Sequence, residues 1–232
     1  MEIRRYEMRI SHKNEFIFFC KPKCATTSIR KKLDKYSDII SAPKTPYHPH
    51  TTALQLKIHF NKMGWDWNKY FKFITVRNPW DMVVSFYHYA KPDINGIYFW
   101  EEERAGIKRD PDNRIPFQQW VLSKDIKKSF HFLLYKNGQF HKNIWTNDFS
   151  YFTLNNFTFD ENGDSLVDYI VKVENLKKDL KIAFDKIGIP IRWIRKLNKS
   201  RHKHYKRYYS PETKKIIEKE FQFDIEIGEY EF

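Results

Sequence analysis

Cysteine is nearly missing from this 232-residue chain: Cys20 and Cys24 are its only two. Two thiols exclude a disulfide-built scaffold and a zinc site with ligands at the usual spacings. Cys20 reads as the end of a buried strand and Cys24 as a loop residue, neither with a redox role. Long apolar runs are missing as well. No stretch approaches the roughly 18 consecutive apolar residues of a membrane-crossing helix. Residues 1–14 mix Arg, Glu, Lys and His and hold no apolar core of signal-peptide length. A cytoplasmic protein is the default expectation. There is no internal repeat, no low-complexity linker and no Gly-x-x-x-x-Gly-Lys-[Ser/Thr] loop, which excludes a Walker A site. Acid is scarce relative to base: 29 Asp and Glu stand against 42 Lys and Arg, a net charge of +13. That balance favours polyanionic partners such as nucleic acid, phosphorylated nucleotides, acidic glycans or an anionic membrane surface.

What is present describes a globular α/β protein. Hydrophobic residues make up 41% and aromatics 18% of the chain, which excludes a disordered one. The length suits one domain, or one with an appended lobe. Residues 15–20, 71–76 and 168–173 read as strands. Residues 26–36, 51–62, 79–90 and 174–187 read as helices, the last closed by Gly188 and Pro190. Residues 37–50, with three prolines, read as loop. Residues 91–165 are less regular, with a helix predicted around 116–135. Ser210 and Pro211 open a last helix that runs to about Phe221. Strands alternating with helices predict a central parallel sheet with helices on its faces.

Two segments carry chemistry. In the first, Glu15-Phe16-Ile17-Phe18-Phe19-Cys20 runs into Lys21-Pro22-Lys23-Cys24-Ala25-Thr26-Thr27-Ser28. A strand that feeds a helix start through a tight loop offers backbone N–H groups and a helix dipole to an anion. Lys23 adds a cation, and Thr26, Thr27 and Ser28 add hydroxyls. An ordinary strand–turn–helix with an N-cap is the plain alternative. The second segment, Arg77-Asn78-Pro79-Trp80-Asp81-Met82-Val83-Val84-Ser85-Phe86-Tyr87, places Arg77 at the carboxyl end of a strand, where ligands bind in open α/β sheets. Arg grips a phosphate through two parallel hydrogen bonds. Its plain alternative is an Arg77–Asp81 pair with Ser85 on a helix surface.

The two segments together resemble the nucleotide-binding motifs of sulfotransferases that use 3′-phosphoadenosine 5′-phosphosulfate (PAPS). The resemblance extends along most of the chain. His50-Thr51-Thr52-Ala53, Val171-Lys172-Val173-Glu174-Asn175-Leu176, Asn198-Lys199-Ser200-Arg201 with His204-Tyr205-x-x-Tyr208-Tyr209, and Asp224-Ile225-Glu226-x-Gly228-x-Tyr230 look like elements of the carbohydrate-type branch. The Lys-Gly loop of the steroid and phenol branch is absent. Ala25 stands where the family usually has Gly. A positive φ there would cost roughly 1 kcal/mol or more. The membrane anchor and disulfides of Golgi members are also absent, so the chain is similar to a soluble microbial or viral version.

That resemblance implies one domain over residues 1–232 with a three-layer, P-loop-like fold, residues 91–165 forming an acceptor-binding insertion. It implies transfer of a sulfuryl group from PAPS, leaving PAP, to a hydroxyl of a carbohydrate-like acceptor. Lys23 is the catalytic cation beside the breaking bond. The segment from Lys23 through Cys24, Ala25, Thr26 and Thr27 to Ser28 holds the 5′-phosphosulfate. Arg77 and Ser85 hold the 3′-phosphate, and Lys199, Ser200 and Arg201 close over the nucleotide. His50 is the leading general base, since imidazole titrates near neutrality. His48, His59 and His88 lie near the same motifs, and Glu101, Glu102 and Glu103 are fallback bases. No metal and no nucleic acid are implied. Most aromatic residues of 91–165 are assigned to core packing. The competing readings are a P-loop-related nucleotide kinase, which would require magnesium, a basic nucleic-acid binder, and a sulfotransferase fold that binds nucleotide without turnover.

Overall fold

The computed structural model describes residues 8–40, 50–95, 97–108, 110, 112–123, 133–136, 139–142, 149–190, 197 and 202–232. The chain divides into two compact units, Met1–Asn78 with Leu154–Lys199, and Pro79–Thr153 with Ser200–Phe232.

The first unit is built on strands β1 (Arg9–Ser11), β2 (Phe16–Phe19), β3 (Ile39–Ile40), β4 (Phe71–Val76) and β7 (Tyr169–Lys172), in the order β3-β1-β2-β4-β7. The centre is parallel: Phe18 lies opposite Phe73 across β2 and β4, and Ile74 opposite Ile170 across β4 and β7. β1 and β3 add an antiparallel edge. The helical connections are α1 (Thr26–Leu33), α2 (Ala53–Met63), α6 (Leu154–Thr158) and α7 (Leu176–Lys186). The near-continuous apolar run Phe16–Phe19 is the mark of a strand buried on both faces. Phe16, Phe18 and Cys20 pack with Phe73, Val171, Ile29 and Leu33 of α1, and Leu180 and Phe184 of α7. Phe19 points the other way to Trp67, which also meets Phe60 of α2. Helices therefore cover both faces, and the layered α/β architecture predicted from the sequence is the one observed. The buried guanidinium of Arg9 is offset by Asp34, whose Oδ1 lies 2.7 Å from both Nε and Nη2.

The second unit holds α3 (Pro79–Ala90), α4 (Phe99–Ala105), α5 (Phe117–Leu122), the hairpin β5 (Leu133–Lys136) and β6 (Gln139–Lys142), α8 (Pro211–Glu220) and α9 (Gln222–Gly228). Its core is aromatic. Phe86 sits 4.9 Å from Phe152 and 6.1 Å from Trp120, and Phe149 sits 5.7 Å from Phe221, ring centre to ring centre. Tyr98, Phe117 and Trp120 are buried, as the core assignment of this region required; Trp145 lies outside the described residues. The predicted helix over 116–135 needs correction: helix spans Phe117–Leu122, while Leu133–Lys136 is strand. The two strands pair antiparallel, with Leu133 opposite Lys142 and Lys136 opposite Gln139. Among the described residues no helix is long and apolar enough to cross a membrane.

Candidate active site

Three parallel strands end side by side, and the candidate residues follow those ends. β2 runs into the loop 20–25, where two non-glycine residues separated by one adopt left-handed backbone: Lys23 at φ 61° and Ala25 at φ 58°. Left-handed residues in a tight turn direct successive N–H groups towards one concave side, an anion-binding nest. Ala25 is the N-cap of α1 and offers no side-chain acceptor, so the usual Ser/Thr/Asp cap is missing at this helix start. The first turn also carries no acidic residue. An exogenous anion supplies what such an end lacks. Thr26 and Ser28 are buried, while Lys23, Ala25 and Thr27 are half-buried. Ser28 Oγ accepts the Leu197 N–H at 2.9 Å, which keeps its own O–H as a donor.

The loop after β4 meets this turn directly. Arg77 Nη1 donates to the Lys23 carbonyl at 3.1 Å. The second sequence motif is therefore hydrogen-bonded to the first, and Arg77 helps hold Lys23 in its left-handed conformation. One residue on, the Asn78 N–H donates to Glu174 Oε1 at 2.8 Å. The last rung between these two strand ends is the Val173 N–H to the Val76 carbonyl, at 2.9 Å. The sequence marked the segment around Glu174 but gave it no task; a carboxylate two residues beyond a strand end was the available signal.

His50 reaches the same region from the approach to α2, whose start is fixed by a Thr52–Gln55 capping box. Its Nδ1 lies 2.8 Å from the Cys20 carbonyl. A carbonyl only accepts, so Nδ1 carries the proton, and in the neutral ring Nε2 is the basic nitrogen. This is the tautomer that a general base requires. Cys20 and Cys24 are both buried, and neither is in a disulfide.

The other predicted residues stand as follows. Ser85 is buried on α3 in the second unit. Lys199, Ser200 and Arg201, like His48, lie outside the described residues. Of the fallback carboxylates, Glu102 is buried and Glu103 exposed, so the acidic run is not uniformly a solvated face. His59 on α2 is held below the usual imidazole range by burial and by Lys62. His88 on α3 binds Tyr208 Oη through Nε2 at 2.9 Å and stacks on His202 at 5.3 Å. Burial, then His202, Arg114 and Lys91, keep its imidazole below its ordinary pKa. Tyr209 donates to the Trp80 carbonyl at 3.0 Å, and burial pushes its phenol well above the ordinary range. These last two groups give the Tyr208-Tyr209 pair of the sequence a structural task. Among the described residues no three His, Cys, Asp or Glu side chains are grouped to hold a metal ion.

Residues 6–231 match the family model described as the sulfotransferase family, nearly the whole chain. No individual curated protein and no solved structure matches it.

Proposed function

The chain belongs to the sulfotransferase family, and from that premise we propose that it moves a sulfuryl group from PAPS to a hydroxyl of a carbohydrate-like acceptor. The observation that carries the reading is the Arg77–Lys23 hydrogen bond, which ties the two anion motifs together at neighbouring ends of parallel strands. PAPS supplies the activated sulfuryl group. The uncapped start of α1 and the left-handed turn fit its 5′-phosphosulfate: of the Ala25–Ser28 backbone, the Ser28 N–H is taken by the Ala25 carbonyl at 3.1 Å, and the turn before it faces the anion together with the hydroxyls of Thr26, Thr27 and Ser28. Lys23 is assigned to neutralise charge that grows on the leaving phosphate, a task suited to a mobile ammonium. The family motif gives the 3′-phosphate to Arg77 and to Ser85. It gives closure over the nucleotide to Lys199, Ser200 and Arg201.

His50 is assigned to take the acceptor's hydroxyl proton on Nε2. Its Nδ1 bond to the Cys20 carbonyl supports this, because it fixes both tautomer and ring orientation. The carbohydrate acceptor rests on the branch-type elements around His50, Glu174 and Tyr208.

The test has two readouts on three proteins. PAP at millimolar concentration raises the melting temperature of the wild type through linkage. Arg77→Ala loses most of that rise. His50→Ala keeps the rise but loses sulfuryl transfer from labelled PAPS to a panel of glycans. A wild type that PAP does not stabilise removes the donor assignment. Unchanged transfer in His50→Ala removes His50 as the base.

A further inference from the structure

We infer that Glu174 is a positioning residue that holds Arg77 at the nucleotide site and thereby sets the preference for a 3′-phosphate. The inference rests on the donor assignment proposed above. Beyond Val76 the β4 ladder has ended, and Pro79 has no N–H. Asn78 is buried, so its N–H needs a partner, and a buried unpaired donor is costly. Glu174, two residues past the end of β7, puts Oε1 at 2.8 Å from the Asn78 nitrogen and fills the place of a missing rung.

The start of α7 fixes the segment that carries this carboxylate. Lys172 N–H donates to Asp179 Oδ2 at 2.8 Å, and Asn175 N–H returns to the Lys172 carbonyl at 3.1 Å. The connection then continues through one peptide to Arg77 and from its Nη1 to the Lys23 carbonyl at 3.1 Å. Three strand ends are linked in series, from β7 through β4 to β2. An exposed carboxylate beside a proposed anion site is electrostatically unfavourable for the ligand. A charge-assisted bond to a backbone N–H gives the site a geometric reason to carry it.

The experiment compares PAP with adenosine 5′-monophosphate, which differ by the 3′-phosphate alone. Dissociation constants for both are measured on the wild type, Glu174→Ala, Glu174→Gln and Glu174→Asp. The wild type prefers PAP. Glu174→Ala lowers that preference about fivefold while its affinity for the monophosphate holds. Glu174→Gln keeps an acceptor oxygen at the same reach and stays within about twofold of wild type. Glu174→Asp keeps the charge, is one methylene short, and loses preference as alanine does. The inference is overturned if alanine or aspartate retains the wild-type ratio. It is also overturned if alanine binds PAP more tightly, which would make Glu174 a competing anion. A wild type that does not distinguish the two nucleotides overturns this inference and the donor assignment together. A wild type that does distinguish them, with insensitive variants, overturns this inference alone.

Discussion

Ala25 is where a single side chain decides the most. The sequence marks it as the position where a family glycine is replaced, with the cost depending on the sign of φ. The backbone stands at φ 58°, ψ 14°, so the left-handed conformation is kept and the alanine bears it. An L-residue in that region costs about 1–2 kcal/mol. Restoring glycine removes that strain but frees the unfolded chain, which returns part of the gain. Ala25→Gly should therefore stabilise the protein by about 0.5–1 kcal/mol, a rise of about 1–4 °C in melting temperature for a chain of this size. Denaturant titration of the two proteins measures it. A destabilised glycine variant would mean that the turn is not held left-handed in solution. Lys23 has the same backbone, at φ 61°, but there the side chain is assigned a charge that glycine cannot supply. Strain at two positions separated by a single residue is consistent with the ligand-holding loop proposed above.

Elements were legible where one period dominated. The apolar runs at β2, β4 and β7 and the amphipathic stretches at α1, α2 and α7 are all found where the pattern placed them, and Ser210 caps α8 through a capping box with Thr213. Short elements were not. β1 has three residues and β3 two, too few to establish a period, and each forms on the edge its neighbour offers: β1 on β2, then β3 on β1. The β5 and β6 strands have four residues each, and the apolar pair Leu133-Leu134 suits a helix as well as a strand. In the site, the residue types at Lys23, His50 and Arg77 were legible. The partners that orient them were not, because the Cys20 and Lys23 carbonyls are main-chain groups that every residue possesses. Histidine environment is likewise invisible in sequence, and α3 shows its consequence. His88 has a depressed pKa in the fold, so the unfolded chain binds its proton more readily. The neutral ring's contribution is therefore complete above the unfolded value near 6.5 and is lost as pH falls through the lower folded value. The melting temperature should fall between pH 7.5 and pH 5.5 by less in His88→Gln than in the wild type. Equal falls in the two proteins would show that His88 carries none of this dependence.

Across the whole molecule the +13 charge invites a reading that the site does not need. Exposed base is spread over several elements: Lys31 on α1, Lys177, Lys178, Lys181 and Lys186 on α7, and Lys215 and Lys219 on α8. Some cations are neutralised locally, as in the Lys181–Asp185 and Lys214–Glu218 pairs. Such charges raise encounter rates with anions, but beyond about 8 Å they are screened at physiological salt. A nucleotide bound through the half-buried Lys23, Arg77 and the start of α1 is screened less. The two modes therefore separate on a salt titration. Duplex DNA held by scattered surface cations loses about 10³-fold or more in affinity between 50 and 200 mM salt if six or more phosphates are contacted. The PAP dissociation constant should weaken by less than about tenfold over the same range, because few charges, partly removed from solvent, carry it. Parallel titrations of PAP and of a short DNA duplex read both slopes. DNA binding that outlasts PAP binding as salt rises would return the protein's basic character to nucleic acid. The opposite order leaves the excess charge as a steering field for anionic substrates, with recognition confined to the three strand ends.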